Sequence, residues 1–176
     1  INAAWLKEKL VDTLGDGQQF GVNITWSLED EGLETAGGII QALPYLGDQP
    51  FLLINGDVWT RFDFSELAAI NLADQLAHLV LVDNPPQHPM GDFILQNGYV
   101  FDRPTEQIGY TFAGISLISP RLFDGLPAGK RPLAPLLREA MQKQLVTGAK
   151  MSTAWVDVGT PERLADLDQR ITAQLI

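Results

Sequence analysis

There is no cysteine among the 176 residues, so a disulfide framework and a thiolate metal site are both excluded. Basic residues are scarce: 12 Lys and Arg stand against 22 Asp and Glu, a formal net charge of −10. With a pI near 4.5, such a surface repels nucleic-acid phosphates and argues against a nucleic-acid partner. A small anionic substrate is still allowed, because a bound divalent cation inverts the local field. Histidine occurs only at 78 and 88, at neither triad nor metal-ligand spacing. No apolar run is long enough to span a bilayer, and no basic-then-apolar leader opens the chain. The expectation is a cytoplasmic protein with no membrane partner. The GxSxG, HExxH, Walker and GxGxxG patterns are all absent.

What is present is an α/β pattern on one core-sized chain, 45% hydrophobic, read as a single domain over 1–176. Trp5, Leu6, Leu10, Val11 and Leu14 recur at helical spacing until Gly15-Asp16-Gly17 stops them. Phe20 to Trp26 alternates as a strand does. Phe51-Leu52-Leu53-Ile54 and Leu79-Val80-Leu81-Val82 are continuous apolar runs, the mark of strands covered on both faces. Between them a helix is expected from about Phe64 to Leu76. Asn97-Gly98 between apolar runs predicts a hairpin, since both residues tolerate positive φ. Ile108 to Ile118 reads as a long strand interrupted by Gly114, followed by helices at about Pro120–Phe123 and Leu133–Leu145. Thr153 to Val158 is the last strand, and Thr160-Pro161 caps the last helix. Alternating helices and buried strands predict a mostly parallel sheet with helices on both faces and one small inserted hairpin.

In open α/β sheets, ligands bind beyond the carboxyl ends of strands. Asp57 and Asp157 sit at two such ends, each beside a glycine (Gly56, Gly159) that permits close backbone approach. Either aspartate alone could equally cap a turn or helix. Brought together, the two carboxylates repel unless a cation joins them, and Mg²⁺ suits a site of one or two carboxylates completed by water and phosphate. Gly37-Gly38, read as preceding a helix, would leave N–H groups free for a base edge or an anion. His88 lies in a polar loop, Asn84 to Asp92, and Trp59 and Trp155 read as packing residues.

Four segments in order carry a resemblance: Leu33-Glu34-Thr35-Ala36-Gly37-Gly38-Ile39, Phe51 through Asp57, Phe112-Ala113-Gly114-Ile115, and Trp155 through Glu162. Together they resemble the sugar-1-phosphate nucleotidyltransferase family across essentially the whole chain. Asn55 through Trp59, Val82-Asp83-Asn84-Pro85 and Gly91-Asp92-Phe93 are most similar to the members that uridylylate N-acetylmuramic acid 1-phosphate in peptidoglycan recycling. Mannose-1-phosphate guanylyl transfer is the alternative, and a non-catalytic sugar-nucleotide-binding regulatory domain a further one. The resemblance implies a Rossmann-like, GT-A-like domain with Mg²⁺ held by Asp57 and Asp157. It implies nucleotide contacts from Leu33, Glu34, Ala36, Gly37 and Gly38, and a sugar pocket lined by Asn55, Asp92 and Gly114. The partners implied are small molecules, a nucleoside triphosphate (UTP first) and a sugar 1-phosphate. The sequence departs from the family pattern in lacking its N-terminal glycine-rich loop with arginine and its Pro-Lys-Pro segment. Ile1-Asn2-Ala3-Ala4 reads instead as the end of a strand entering a helix. A first strand and helix are therefore expected to be missing from the sheet, leaving this fragment inactive alone and, through exposed apolar surface, prone to self-association.

Overall fold

A computed structural model describes residues 1–176. In chain order the elements are β1 Asn2–Ala3, α1 Lys7–Leu14, β2 Ser27–Leu28, α2 Glu34–Leu46, β3 Phe51–Ile54, β4 Val58–Thr60, α3 Ser65–Ala68 and β5 Ala77–Val82. They continue with β6 Phe93–Gln96, β7 Tyr99–Asp102, β8 Thr111–Ile118, α4 Ala134–Gln142, β9 Val146–Lys150, β10 Trp155–Asp157 and α5 Pro161–Thr172. No helix is long and apolar enough to cross a membrane. The chain divides into two compact units, one of 1–49 with 120–137 and one of 50–119 with 138–176.

In the first unit β1 pairs in parallel with β2, Asn2 opposite Ser27. The stretch read as a strand from Phe20 is instead a 3-10 turn at Gln18–Phe20 and irregular chain. Gly17 and Gly21 on either side of that turn are left-handed, which ends regular pairing. Helix α1 follows the apolar spacing but buries none of its residues, and Trp5 is 84% exposed. Helix α2 begins at Glu34 and buries Ala36, Gly37, Gly38, Ile39 and Ala42.

The second unit holds a six-stranded sheet in the order β3-β8-β5-β9-β7-β6. Only β5 and β9 are parallel neighbours; β3–β8, β5–β8, β7–β9 and β6–β7 are antiparallel. Four strands (β3, β5, β9 and β6) nevertheless run one way, because β8 and β7 are interleaved against them. The α/β class thus holds with mixed pairing. Strand β3 is at the sheet edge with Leu52 38% and Ile54 44% exposed, so its apolar run is not covered on both faces. Strand β5 is covered: Leu79, Leu81, Val80 and Val82 are all buried. The expected hairpin turns at Asn97 and Gly98 with φ of 52° and 79°. The helix expected over 64–76 stops after one turn, and the Asn71 side chain accepts the Ala73 N–H at 2.9 Å. A core of Leu67, Val80, Val82, Ala113, Ile115 and Met151 packs against Val58, Phe64 and Trp155. Burial of that apolar area, rather than any single polar bond, holds the platform beneath β4 and β10.

His78 lies within the interior strand β5, its Nδ1 2.9 Å from Thr147 Oγ1. Burial disfavours the imidazolium and pushes its pKa below the usual 6.5. The unfolded chain then binds more protons than the folded one below that value, so stability falls as pH drops through it. Urea unfolding between about pH 5 and 8 is expected to show this slope, and His78→Gln to flatten it.

Candidate functional site

The second unit contains a cleft of about 230 Å³ whose walls include Asn55, Asp57, Asp92, Gly114, Trp155 and Asp157. The five residues to which sequence reading gives metal or sugar roles therefore meet in one place. Their convergence follows from backbone pairing. Strand β4 pairs antiparallel with β10, Val58 opposite Asp157 and Trp59 opposite Val156. The Val158 N–H donates to the Asp57 carbonyl at 2.8 Å. Asp57 is exposed and Asp157 half-buried.

The carboxylates face a common point. A methyl group placed on Gly159 would lie 3.0 Å from Asp157 Oδ1 and 3.1 Å from Asp57 Oδ2. Glycine keeps that point open, and its own N–H donates to Asp157 Oδ1 at 2.8 Å. Arg163 Nη1 reaches Asp157 Oδ2 at 3.2 Å. No three His, Cys, Asp or Glu side chains group as ready-made metal ligands. The donor set is thus two hard carboxylates, which fits a cation that keeps water or phosphate in the rest of its shell.

The opposite wall is built on Gly114, whose φ of +71° suits glycine. The Gly114 carbonyl accepts the Asn55 N–H at 2.8 Å, and a Cβ on Gly114 would lie 2.8 Å from Asn55 Nδ2. Trp155 is fixed by its indole N–H donating to the Ala113 carbonyl at 2.9 Å, so it is both packing and cleft wall. Asp92 Oδ2 accepts the Phe112 N–H at 2.8 Å. Asp92 Oδ1 is 3.0 Å from His88 Nε2, which places His88 in the cleft as well. The loop from Asn84 to Asp92 is tied down by Asn84. Its Nδ2 donates to the carbonyls of Pro89 (3.0 Å) and Gly109 (2.8 Å), and its Oδ1 accepts from Thr111 Oγ1 (2.9 Å).

Leu33, Glu34, Ala36, Gly37 and Gly38 belong to the first unit. The expectation of free N–H groups ahead of a helix is corrected here. Gly37 and Gly38 lie inside α2 and are buried, and the N–H groups of Ala36 and Gly37 donate to the Arg131 carbonyl at 3.0 and 3.1 Å. A Cβ on Gly37 would strike the Gly129 carbonyl, and one on Gly38 the Glu29 carboxylate. These glycines allow close packing. Leu33 and Glu34 remain accessible at the helix start, Glu34 with φ of 59°. Sequence reading missed Arg163 and passed over His88. The spacing Thr160-Pro161-Glu162-Arg163 could have pointed to Arg163, since the third helical residue of a capped helix faces back toward the residues before it.

The nucleotidyl transferase family matches residues 1–103. The N-acetylmuramate alpha-1-phosphate uridylyltransferase of Neisseria meningitidis serogroup B is 49% identical over 174 residues, covering 94% of this chain and 74% of that protein. The mannose-1-phosphate guanyltransferase of Candida albicans is 32% identical over 88% of this chain. This chain spans about half of that fungal protein, 46% of its length. The solved inositol-1-phosphate CTP transferase from T. maritima superposes with a TM-score of 0.72 over 97% of this chain and 74% of that one. At 16% identity that likeness is one of Rossmann-like α/β fold.

Gly114→Ala is expected to lower the unfolding free energy by about 1–3 kcal/mol, from left-handed strain and the clash with Asn55. At Gly56 nothing lies within 4 Å of an added Cβ, so Gly56→Ala should stay within about 0.5 kcal/mol. Urea midpoints of the two variants check both.

Proposed function

Because the chain belongs to the nucleotidyl transferase family, we propose that it is the core of a Mg²⁺-dependent sugar-1-phosphate nucleotidyltransferase that uses UTP. N-acetylmuramic acid 1-phosphate is the favoured acceptor, in peptidoglycan recycling in the cytoplasm. The reading is carried by one observation: Asp57 and Asp157, a hundred positions apart, turn their carboxylates to the same point beside Gly159. The 49% identity to the Neisseria uridylyltransferase supports the choice of sugar and base. Mannose 1-phosphate with GTP is the second reading, supported by the more distant fungal relative. We read both units as one GT-A-like domain, since the family match over 1–103 runs from the first unit into the second.

In this reaction an oxygen of the sugar 1-phosphate attacks the α-phosphorus of UTP. A new P–O bond forms, the bond to the bridging oxygen of the β-phosphate breaks, and pyrophosphate leaves. Nothing in this needs a covalent enzyme intermediate; it needs alignment and charge neutralisation. Asp57 and Asp157 would hold the Mg²⁺, which supplies neutralising charge to the phosphates. Asn55, Asp92 and the Gly114 backbone hold the sugar: amide, carboxylate and carbonyl groups suit hydroxyl and amide partners. Asp92 is preset for this by the Phe112 N–H and His88. Leu33 and Glu34 take the base and ribose. Buried Ala36, Gly37 and Gly38 let the start of α2 sit close against the segment around Gly129 and Arg131. A domain that bound sugar nucleotides without turnover would not need two carboxylates forced together.

Asp57→Ala and Asp157→Ala in the complete enzyme are each expected to cut turnover by about 10²-fold or more while leaving the far-UV circular dichroism unchanged. The assay is pyrophosphate release with UTP, GTP and dTTP crossed against muramate, mannose and glucose 1-phosphates. Near-normal rates in either variant contradict the metal assignment.

A further inference from the structure

Two carboxylates held together in a cleft that no Lys or Arg lines raise the question of what offsets their repulsion when no divalent ion is bound. The charge arrangement around Gly159 supplies an answer. Arg163 Nη1 lies 3.2 Å from Asp157 Oδ2. Its Nη2 lies 3.1 Å from the point a Gly159 Cβ would occupy, the point that Asp57 Oδ2 and Asp157 Oδ1 also face at 3.1 and 3.0 Å. One guanidinium therefore pairs with Asp157 and borders the point that both carboxylates face. Its side chain is 31% exposed and that of Asp157 33%, and its Nε is buried with no hydrogen-bond partner. That shielding from water makes the attraction larger than in an open surface pair.

The position of Arg163 on its helix points the same way. Thr160 caps α5 and accepts the Arg163 N–H at 3.3 Å, so Arg163 stands in the first turn. A cation there opposes the helix dipole, which favours acidic residues at that end. Glu162, its neighbour, obeys that preference. Arg163 does not, and the carboxylates it faces account for the exception.

We propose that Arg163 is a positioning residue, the resident counter-cation of the Asp57–Asp157 pair, and that a divalent ion must compete with its guanidinium for Asp157. The second half rests on the metal reading above; the first does not. In the metal-free protein the arginine keeps the aspartates together. When the ion arrives, Asp157 exchanges its ion pair with Arg163 for a metal bond, so the arginine lowers metal affinity. It also keeps the cleft from drawing in cations when no substrate phosphate is there to complete the shell.

The test compares the protein with Arg163→Met, which keeps the stem and removes the charge, and with Arg163→Lys. Two quantities are read: Mn²⁺ affinity without nucleotide, from the electron paramagnetic resonance signal of free Mn²⁺, and the metal-free melting temperature. The expected result is a lower metal-free Tm and Mn²⁺ binding about tenfold tighter in Arg163→Met, with Arg163→Lys close to the parent. Unchanged or weaker Mn²⁺ binding in Arg163→Met overturns the competition. Should Arg163→Met not fold, Asp57→Asn decides the first half. Relieving the repulsion should raise the metal-free Tm; a lower or unchanged Tm overturns it. If Asp57→Asn leaves Mn²⁺ affinity untouched, the metal reading is what fails, and the metal-free Tm comparisons still judge Arg163.

Discussion

The antiparallel pairing of β4 with β10 is the constraint on which the rest of the site depends. It sets Val58 opposite Asp157 and ties the Asp57 carbonyl to the Val158 N–H, so two chain segments a hundred residues apart share one ladder. Left to themselves, two carboxylates at this separation would move apart. The pairing resists that because its far end is also fastened: Thr60 Oγ1 and the Arg61 N–H donate to the Ala154 carbonyl at 2.8 and 3.0 Å. Behind it, Val58 and Trp155 pack against the buried core of β5 and β8. Charge repulsion at the rim is thus opposed by apolar burial below it.

The second wall of the cleft depends on a different device, the close approach that glycine allows. Gly114 in β8 brings the backbone against Asn55, and Gly91 in the loop approaches Asn84 and Tyr110. With Asn84 holding the loop at both Pro89 and Gly109, Asp92 is presented by a fastened segment. A side chain held in this way loses little freedom when a ligand binds, which on the proposed sugar-binding role would favour selectivity between similar sugars. The two walls also differ in charge balance. His88 stands beside Asp92, Arg163 beside Asp157, and no lysine or arginine lines the space between them.

The elements most legible in the sequence are those whose signal is local. The Asn97-Gly98 turn, the buried run of β5 and the Thr160-Pro161 start of α5 all form where their residues specify them. The failures have a common cause: the deciding partner lies far away in the chain. Strand β9 is not marked by its sequence, Val146-Thr147-Gly148-Ala149-Lys150, because Gly148 is there for fit. A Cβ on it would meet Val100 at 2.6 Å and the Leu79 carbonyl at 2.8 Å. The apolar run of β3 suggests burial on two faces, but its place at the sheet edge leaves alternate residues exposed. Gly37 and Gly38 look like a ligand loop and are a helix face packed tightly on neighbouring chain. At the cleft, Asp57, Asp157, Asn55, Asp92 and Gly114 were readable through motif order. Arg163 carries only the weaker cue of its place in the first turn after the Thr160 cap, and its pairing with Asp157 emerges in the folded arrangement.

The most direct measurement of the central claim is a Mn²⁺ titration followed by paramagnetic broadening in the amide nuclear magnetic resonance spectrum. If Asp57 and Asp157 grip one ion, the Val58, Val158 and Gly159 amides lose intensity together, along a single saturation curve. Amides on the Asp57 side and the Asp157 side fading at different metal concentrations, or not fading at all, would contradict a shared ion.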